Sequence, residues 1–180
     1  MTEEDFLRIT RIGAFRGEYQ EGWDSGADWE TLAQIKISTY LRNIFGLENI
    51  REAQYPSSLD RADFGFTLND KTYAIEMKVQ CPTEGQLFAG ESLQLAITRD
   101  VQKLMSHDAD NRWVLVIAKT MYARQRLYDA VLRGDSWSVS EEAGFVMALC
   151  NIDTSPWLPY DRFSTRNGRW GDWKRILSVG

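Results

Sequence analysis

The chain has 180 residues, 43% of them hydrophobic and 26% charged, with a formal net charge of −5. That length suits one domain with a full hydrophobic core, and the balance excludes a disordered or fibrous chain. A single histidine and two well-separated cysteines exclude a Cys/His zinc site, so carboxylates and lysines are left to carry any chemistry.

No apolar run nears the ~18 to 20 residues of a membrane span. The opening Met1-Thr2-Glu3-Glu4-Asp5 is acidic where a secretion signal is basic and then apolar. A cytoplasmic chain without a membrane partner is expected. Cys81 and Cys150 read as reduced thiols in or near the core. His107 reads as a solvated residue of a helix-ending loop, among Ser106, Asp108, Asp110 and Asn111.

In chain order, residues 1–26 carry Gly13, Gly17, Gly22 and Gly26 without sustained periodicity and read as irregular, with a short helix at Glu3 to Arg11. From Trp29 the apolar positions Trp29, Leu32, Ala33, Ile37, Tyr40, Leu41 and Ile44 fall at helical spacing. Asp28 is placed to cap this helix and Gly46 to end it. A short strand is expected at Asn49 to Gln54, halted by Tyr55-Pro56-Ser57-Ser58.

Two alternating runs, Arg61 to Leu68 and Lys71 to Gln80, flank Asn69-Asp70, a dipeptide suited to a tight hairpin turn. Next come a helix at Glu91 to Met105, with Leu93, Ile97, Val101 and Leu104 as its stripe, and a continuous apolar run at Trp113 to Ala118. That run fits a central strand buried on both faces. A helix at Met121 to Arg133 and a strand at Gly144 to Cys150 complete the order. At the C-terminus Arg162, Arg166, Arg169, Lys174 and Arg175 gather with Trp170 and Trp173, either as a strand-binding edge or as a tail anchored by its tryptophans.

The hairpin fixes the candidate site. A two-residue turn opposes Leu68 to Lys71, Phe66 to Tyr73, Phe64 to Ile75 and Asp63 to Glu76. Phe64, Phe66 and Leu68 then share an apolar face with Tyr73, Ile75, Met77 and Val79. A one-residue slip would oppose Phe64 to Glu76, so the apolar pattern selects the register. The other face then carries Asp63, Glu76, Lys78 and Gln80. Opposed carboxylates destabilise a ladder unless something holds them together, and a hard divalent cation is one such reason. The alternative is a solvated face on which Asp63, Glu76 and Lys78 form a surface ion network.

At these residues the sequence resembles the PD-(D/E)xK nuclease superfamily, whose restriction-endonuclease-like core runs helix, three-stranded meander, helix, strand. Asp63 and Glu76-Met77-Lys78 match its motif, with Ala62 in place of the name-giving proline. The resemblance covers roughly Asp28 to Ala118. It implies an α/β fold with a central mixed sheet flanked by helices in αβββαβ order. It also implies hydrolysis of phosphodiester bonds in nucleic acid, with DNA favoured over RNA and a homodimer allowed.

The resemblance implies Mg²⁺ or Mn²⁺ at Asp63 and Glu76, assisted by Glu30. Lys78 would activate water, and Gln80 would position substrate or lysine. Glu30 reads equally as a first-turn acid complementing the helix dipole, and Asp100 and Lys103 read as surface residues. The alternative function is a catalytically inactive binding or assembly module of the same fold, within a defence or mobile-element system.

Overall fold

The computed structural model describes residues 1–26, 29–48, 50–54, 61–80, 91–119 and 137–154. Helix α1 (Glu3–Phe15) opens with a reciprocal cap. The Thr2 hydroxyl accepts from the Asp5 amide at 3.1 Å, and the Asp5 carboxylate accepts from the Thr2 amide at 3.0 Å. Two N–H groups that a helix start leaves without partners are thereby satisfied. Helix α2 (Glu18–Ser25) follows after Gly17, which takes φ 78° and turns the chain.

The helix expected at Glu3 to Arg11 is present and runs on to Phe15, and a second helix follows where irregular structure was expected. Gly17 and Gly26 take positive φ at helix ends, whereas Gly13 and Gly22 are close-packing positions. A Cβ on Gly13 would stand 2.4 Å from Cε1 of Tyr19, a fully buried ring.

Helix α3 (Trp29–Phe45) ends as expected at Gly46, whose N–H donates to the Arg42 carbonyl at 2.8 Å. Trp29, Ala33, Ile37, Tyr40 and Leu41 are buried, whereas Ile44, expected in the stripe, is 52% exposed.

The described strands are β1 (Arg51–Gln54), β2 (Arg61–Leu68), β3 (Lys71–Val79), β4 (Asn111–Ala118), β5 (Trp137–Glu142) and β6 (Phe145–Asn151). Helix α4 (Glu91–Met105) lies between β3 and β4. They form one mixed sheet in the order β1-β2-β3-β4-β6-β5, parallel only between β3 and β4. That single parallel pair is the one that α4 connects, as a parallel connection requires.

Asn69 and Asp70 both take positive φ, 51° and 58°, the conformation of a two-residue hairpin turn that follows strand twist. The register matches expectation at Leu68↔Lys71, Phe66↔Tyr73 and Phe64↔Ile75.

Strand β5 was not foreseen. It turns through Ala143-Gly144 to pair with β6, and it holds α1 through Arg11 on Glu142 at 2.8 Å and the Ser138 hydroxyl on Glu3 at 2.9 Å. Its polar Ser-Val-Ser-Glu-Glu run lacks the apolar alternation by which strands are recognised.

The sheet is covered on both faces. On one, Phe6, Tyr19, Trp29, Ile37 and Leu41 of α1 to α3 pack on Phe64, Ile75, Met77, Trp113 and Phe145. On the other, Leu104 of α4 packs with Ala74, Val114, Val116 and Ala148. Strand β4 is thus buried on both sides. Cys150 is buried, and His107 is half-buried just after α4. Among the described residues no helix is long and apolar enough to cross a membrane. Asp28, Tyr55–Ser58, Cys81, the helix expected at Met121 to Arg133 and the C-terminal basic cluster lie outside the described residues.

Replacing Gly13 with alanine forces the new methyl into the Tyr19 ring. Overpacking of this kind costs about 1–3 kcal/mol, against a helix-propensity gain of up to about 1 kcal/mol. Gly13→Ala is expected to lower the urea midpoint; an unchanged or raised midpoint would show that the ring relaxes freely.

Candidate active site

The β2–β3 ladder stops one step short of the expected Asp63–Glu76 pair. Its partners run from Leu68↔Lys71 to Phe64↔Ile75. Before Phe64, β2 remains paired with β1 through Ala62↔Ala53 and Arg61↔Gln54. Strand β3 continues alongside β4 as far as Val79↔Ile117. The two strands therefore fork at Asp63, and Ala62 packs on the α4 side of the sheet while Phe64 packs on the opposite side. The expected regular ladder contact between Asp63 and Glu76 is replaced by this fork.

Beyond the fork, alternate N–H groups of β3 face the side that β2 has left. Acidic side chains meet two of them. Asp63 accepts from the Met77 amide at 2.7 Å, and Glu30, from the first turn of α3, accepts from the Val79 amide at 3.3 Å. Asp63 also accepts from the Gln34 carboxamide at 2.7 Å through its other oxygen. Each Asp63 oxygen thus uses one lone pair on the protein, and an ionised carboxylate has about four acceptor positions.

On the α4 face of β3, Glu76 is 2% exposed, and Lys78 follows two residues on. The Lys78 ammonium lies 3.6 Å from Glu30 and 3.4 Å from Asp100. Asp100, on α4, is 2% exposed and also meets Lys103 at 3.5 Å. The expectation that Asp100 and Lys103 are surface residues therefore fails for Asp100. The signal was available: Asp100 lies three residues after Ile97 and four before Leu104, inside the apolar stripe.

Electrostatics follow from this crowding. Burial raises the Glu30 carboxyl above its ordinary range; Lys78 pulls it down and Asp63 and Asp100 push it up, leaving the net shift upward. Burial likewise raises Asp100, against the pull of Lys78 and Lys103. Burial draws the Lys78 ammonium down, but Asp100, Glu30 and Asp63 together more than offset it, so the net is upward and Lys78 is held as a cation.

Gln80 turns elsewhere. It is fully buried, its side-chain oxygen accepts from the Lys119 amide at 2.9 Å, and its carbonyl accepts from the Trp29 indole at 2.7 Å. It ties the ends of β3 and β4 to the start of α3.

The donors here are carboxylate oxygens, the chemistry of a hard cation such as Mg²⁺ or Mn²⁺. Among the described residues no three of His, Cys, Asp and Glu form a group able to hold a metal ion. The expected cation site of Asp63, Glu76 and Glu30 is therefore not formed as a three-carboxylate group; Mg²⁺ that keeps several waters needs only one or two protein carboxylates. Glu30 is turned to Val79 and Lys78.

Two expectations come from the geometry. Asp63→Ala leaves the Met77 amide without its acceptor and is expected to cost about 1–3 kcal/mol by chemical denaturation. Asp63→Asn keeps an acceptor there and is expected to lose less than half as much; equal losses would mean that the amide clamp contributes nothing.

The second expectation is a pH dependence. Groups whose folded pKa is raised keep protons that the unfolded chain releases, so Glu30 and Asp100 weaken the metal-free fold progressively as pH rises through the window just above the ordinary carboxylate range. Glu30→Gln, which retains the oxygen facing Val79, is therefore expected to raise the melting temperature relative to wild type at pH 8. That gain should shrink toward pH 5. A gain that grows on acidification would reverse the assigned sign.

Comparison with protein-family models, curated proteins and solved structures finds no match to this chain, so family membership is not shown and the functional reading rests on the site.

Proposed function

We propose that the chain is a metal-dependent nuclease that hydrolyses phosphodiester bonds, with DNA the favoured substrate, on a restriction-endonuclease-like core. The observation that carries the reading is the ammonium of Lys78 held by Glu30 and Asp100 at the end of β3, where Asp63 and Glu76 also lie. A half-buried lysine among carboxylates serves poorly as a stabilising surface network. Two of those acids have raised pKa values and one is almost wholly desolvated. Sites that hold such charges at a cost to stability are frequently functional.

In this reading Asp63 and Glu76 hold the cation, and their positions are set by backbone: Asp63 by the Met77 amide, Glu76 by the β3–β4 ladder. A bound Mg²⁺ supplies charge stabilisation at the phosphoryl oxygens and a more acidic water. Lys78, kept cationic, orients the attacking water and offsets negative charge developing on the phosphate. Glu30 and Asp100 position the Lys78 ammonium from opposite layers, since α3 and α4 cover opposite faces of the sheet. Gln80 acts at one remove, as a brace between strand ends.

The test is cleavage of single- and double-stranded DNA and RNA with Mg²⁺ or Mn²⁺. Lys78→Ala is expected to lower the rate by about 10²-fold or more. Either ion is expected to raise the melting temperature of wild type, and Asp63→Asn to abolish that rise. If wild type and Lys78→Ala are equally inert on every substrate with both metals, the enzyme reading fails and a binding module of the same fold remains.

A further inference from the structure

The cations in contact with the site each have a carboxylate partner: Lys78 has Glu30 and Asp100, and Lys103 has Asp100. Lys119, one residue beyond the end of β4, is different. It is half-buried, and its ammonium lies 5.4 Å from the ring centroids of both Trp23 and Phe145. Its hydrogen-bond partner there is the neutral side-chain oxygen of Gln20. Among the described residues no carboxylate pairs with it.

Ring faces favour a cation by about 0.5–2 kcal/mol, but they supply no countercharge. An ammonium has three donors, and Gln20 takes one. The arrangement holds a positive charge in a defined place with donors still to spend on an anion.

Its location gives that anion a context. Gln80 fixes the Lys119 amide at 2.9 Å, and its own N–H donates to Ile117 at 2.9 Å, so Lys119 is tied to β3 two residues from Lys78. Strands β3 and β4 are parallel, and both end here. The crevice outside the carboxyl ends of parallel strands is where ligands of α/β sheets bind. In the α1–α3 layer Trp23 packs on Trp29, the neighbour of Glu30, and the carboxylates of Glu30 and Asp63 repel a polyanion, so a substrate strand needs a fixed cation in that layer.

We propose that Lys119, held against Trp23 and Phe145 and tied to β3 through Gln80, anchors a non-scissile phosphate of the substrate strand at the rim of the site. This rests on the reading that the substrate is a polynucleotide. The anchored group is a backbone phosphate, so the contact is indifferent to base sequence.

The experiment uses fluorescence anisotropy of a labelled single-stranded DNA oligonucleotide with Mg²⁺, comparing Lys78→Ala with the same chain also carrying Lys119→Met. Methionine keeps the apolar stem between the rings and removes the charge. The added substitution is expected to weaken binding several-fold at low salt and to make the log–log salt dependence shallower by roughly 0.7, one phosphate contact on a single strand. Lys119→Arg in place of Met is expected to restore both. In the otherwise wild-type chain, Lys119→Met should raise KM for the oligonucleotide while kcat and the hydrolysis of bis-p-nitrophenyl phosphate stay unchanged.

An unchanged affinity and salt slope overturn the anchor even if cleavage is observed. A chain that cuts nothing but loses DNA affinity and salt slope with Lys119→Met keeps the anchor and loses the nuclease reading. Absence of any DNA binding removes the anchor.

Discussion

A β-strand that outruns its neighbour leaves main-chain donors without a ladder, and in this protein carboxylates fill that gap. Strand β2 parts from β3 after Phe64, while β3 runs on beside β4 to Val79. The amides of Met77 and Val79 would be orphaned on the forked side, and buried N–H groups are rarely left so. Asp63 and Glu30 take them. Hydrogen bonds from backbone to carboxylate are charge-assisted and fix the acid's orientation against a rigid strand rather than a flexible side chain. Because N–H groups and side chains of one strand point in different directions, the same stretch of β3 can seat two acids on its edge while presenting Glu76 and Lys78 from its α4 face.

That convergence has an electrostatic consequence. Among the described residues three carboxylates, Glu30, Asp63 and Asp100, act on one another and on Lys78, and Lys103 meets Asp100. Lys78 answers two of the acids directly, and Asp100 also draws on Lys103. Glu30 and Asp100 are shifted upward chiefly by burial, which the lysines only partly oppose. A fold shaped by stability alone gains from apolar residues at such places, since desolvating charges often exceeds the attraction between them. In the proposed function a divalent cation offsets that cost by its own charge.

The hairpin was legible because its register is overdetermined. Asn69-Asp70 fixes the turn, and the alternation of Phe64, Phe66, Tyr73, Ile75 and Met77 penalises any slip. Helices α3 and α4 and strand β4 were legible for the same reason, sustained apolar periodicity. The fork was not, because Arg61 to Leu68 alternates throughout and carries no mark of where its pairing with β3 ends. The start of α1 was legible at Glu3 to Arg11, but its last turn and α2 were hidden by glycines that read as breakers. In the structure Gly13 admits the Tyr19 ring, a requirement that depends on a residue six positions away in a separate helix. Asp100 was misplaced although it sits within the apolar stripe of α4, because an acid is assigned by habit to the solvent side. Its partner Lys78 comes from another element, and one-dimensional periodicity cannot supply that pairing.

A net charge of −5 opposes a nucleic-acid partner only as far as its field reaches. At physiological ionic strength the Debye length is about 8 Å, so charge scattered over the rest of the surface is largely screened from a strand lying in the site. What the strand meets within that distance is the local arrangement. There the acids are concentrated at the end of β3, and Lys119 follows the end of β4 in the α1–α3 layer, against Trp23 and Phe145, with no carboxylate partner among the described residues. Under the proposed function the carboxylates hold a cation and the Lys119 ammonium holds an anion, so opposite charges alternate along the path of the strand. A phosphodiester chain bridging cation and ammonium matches that alternation, whereas a neutral ligand would leave both ends of it unused.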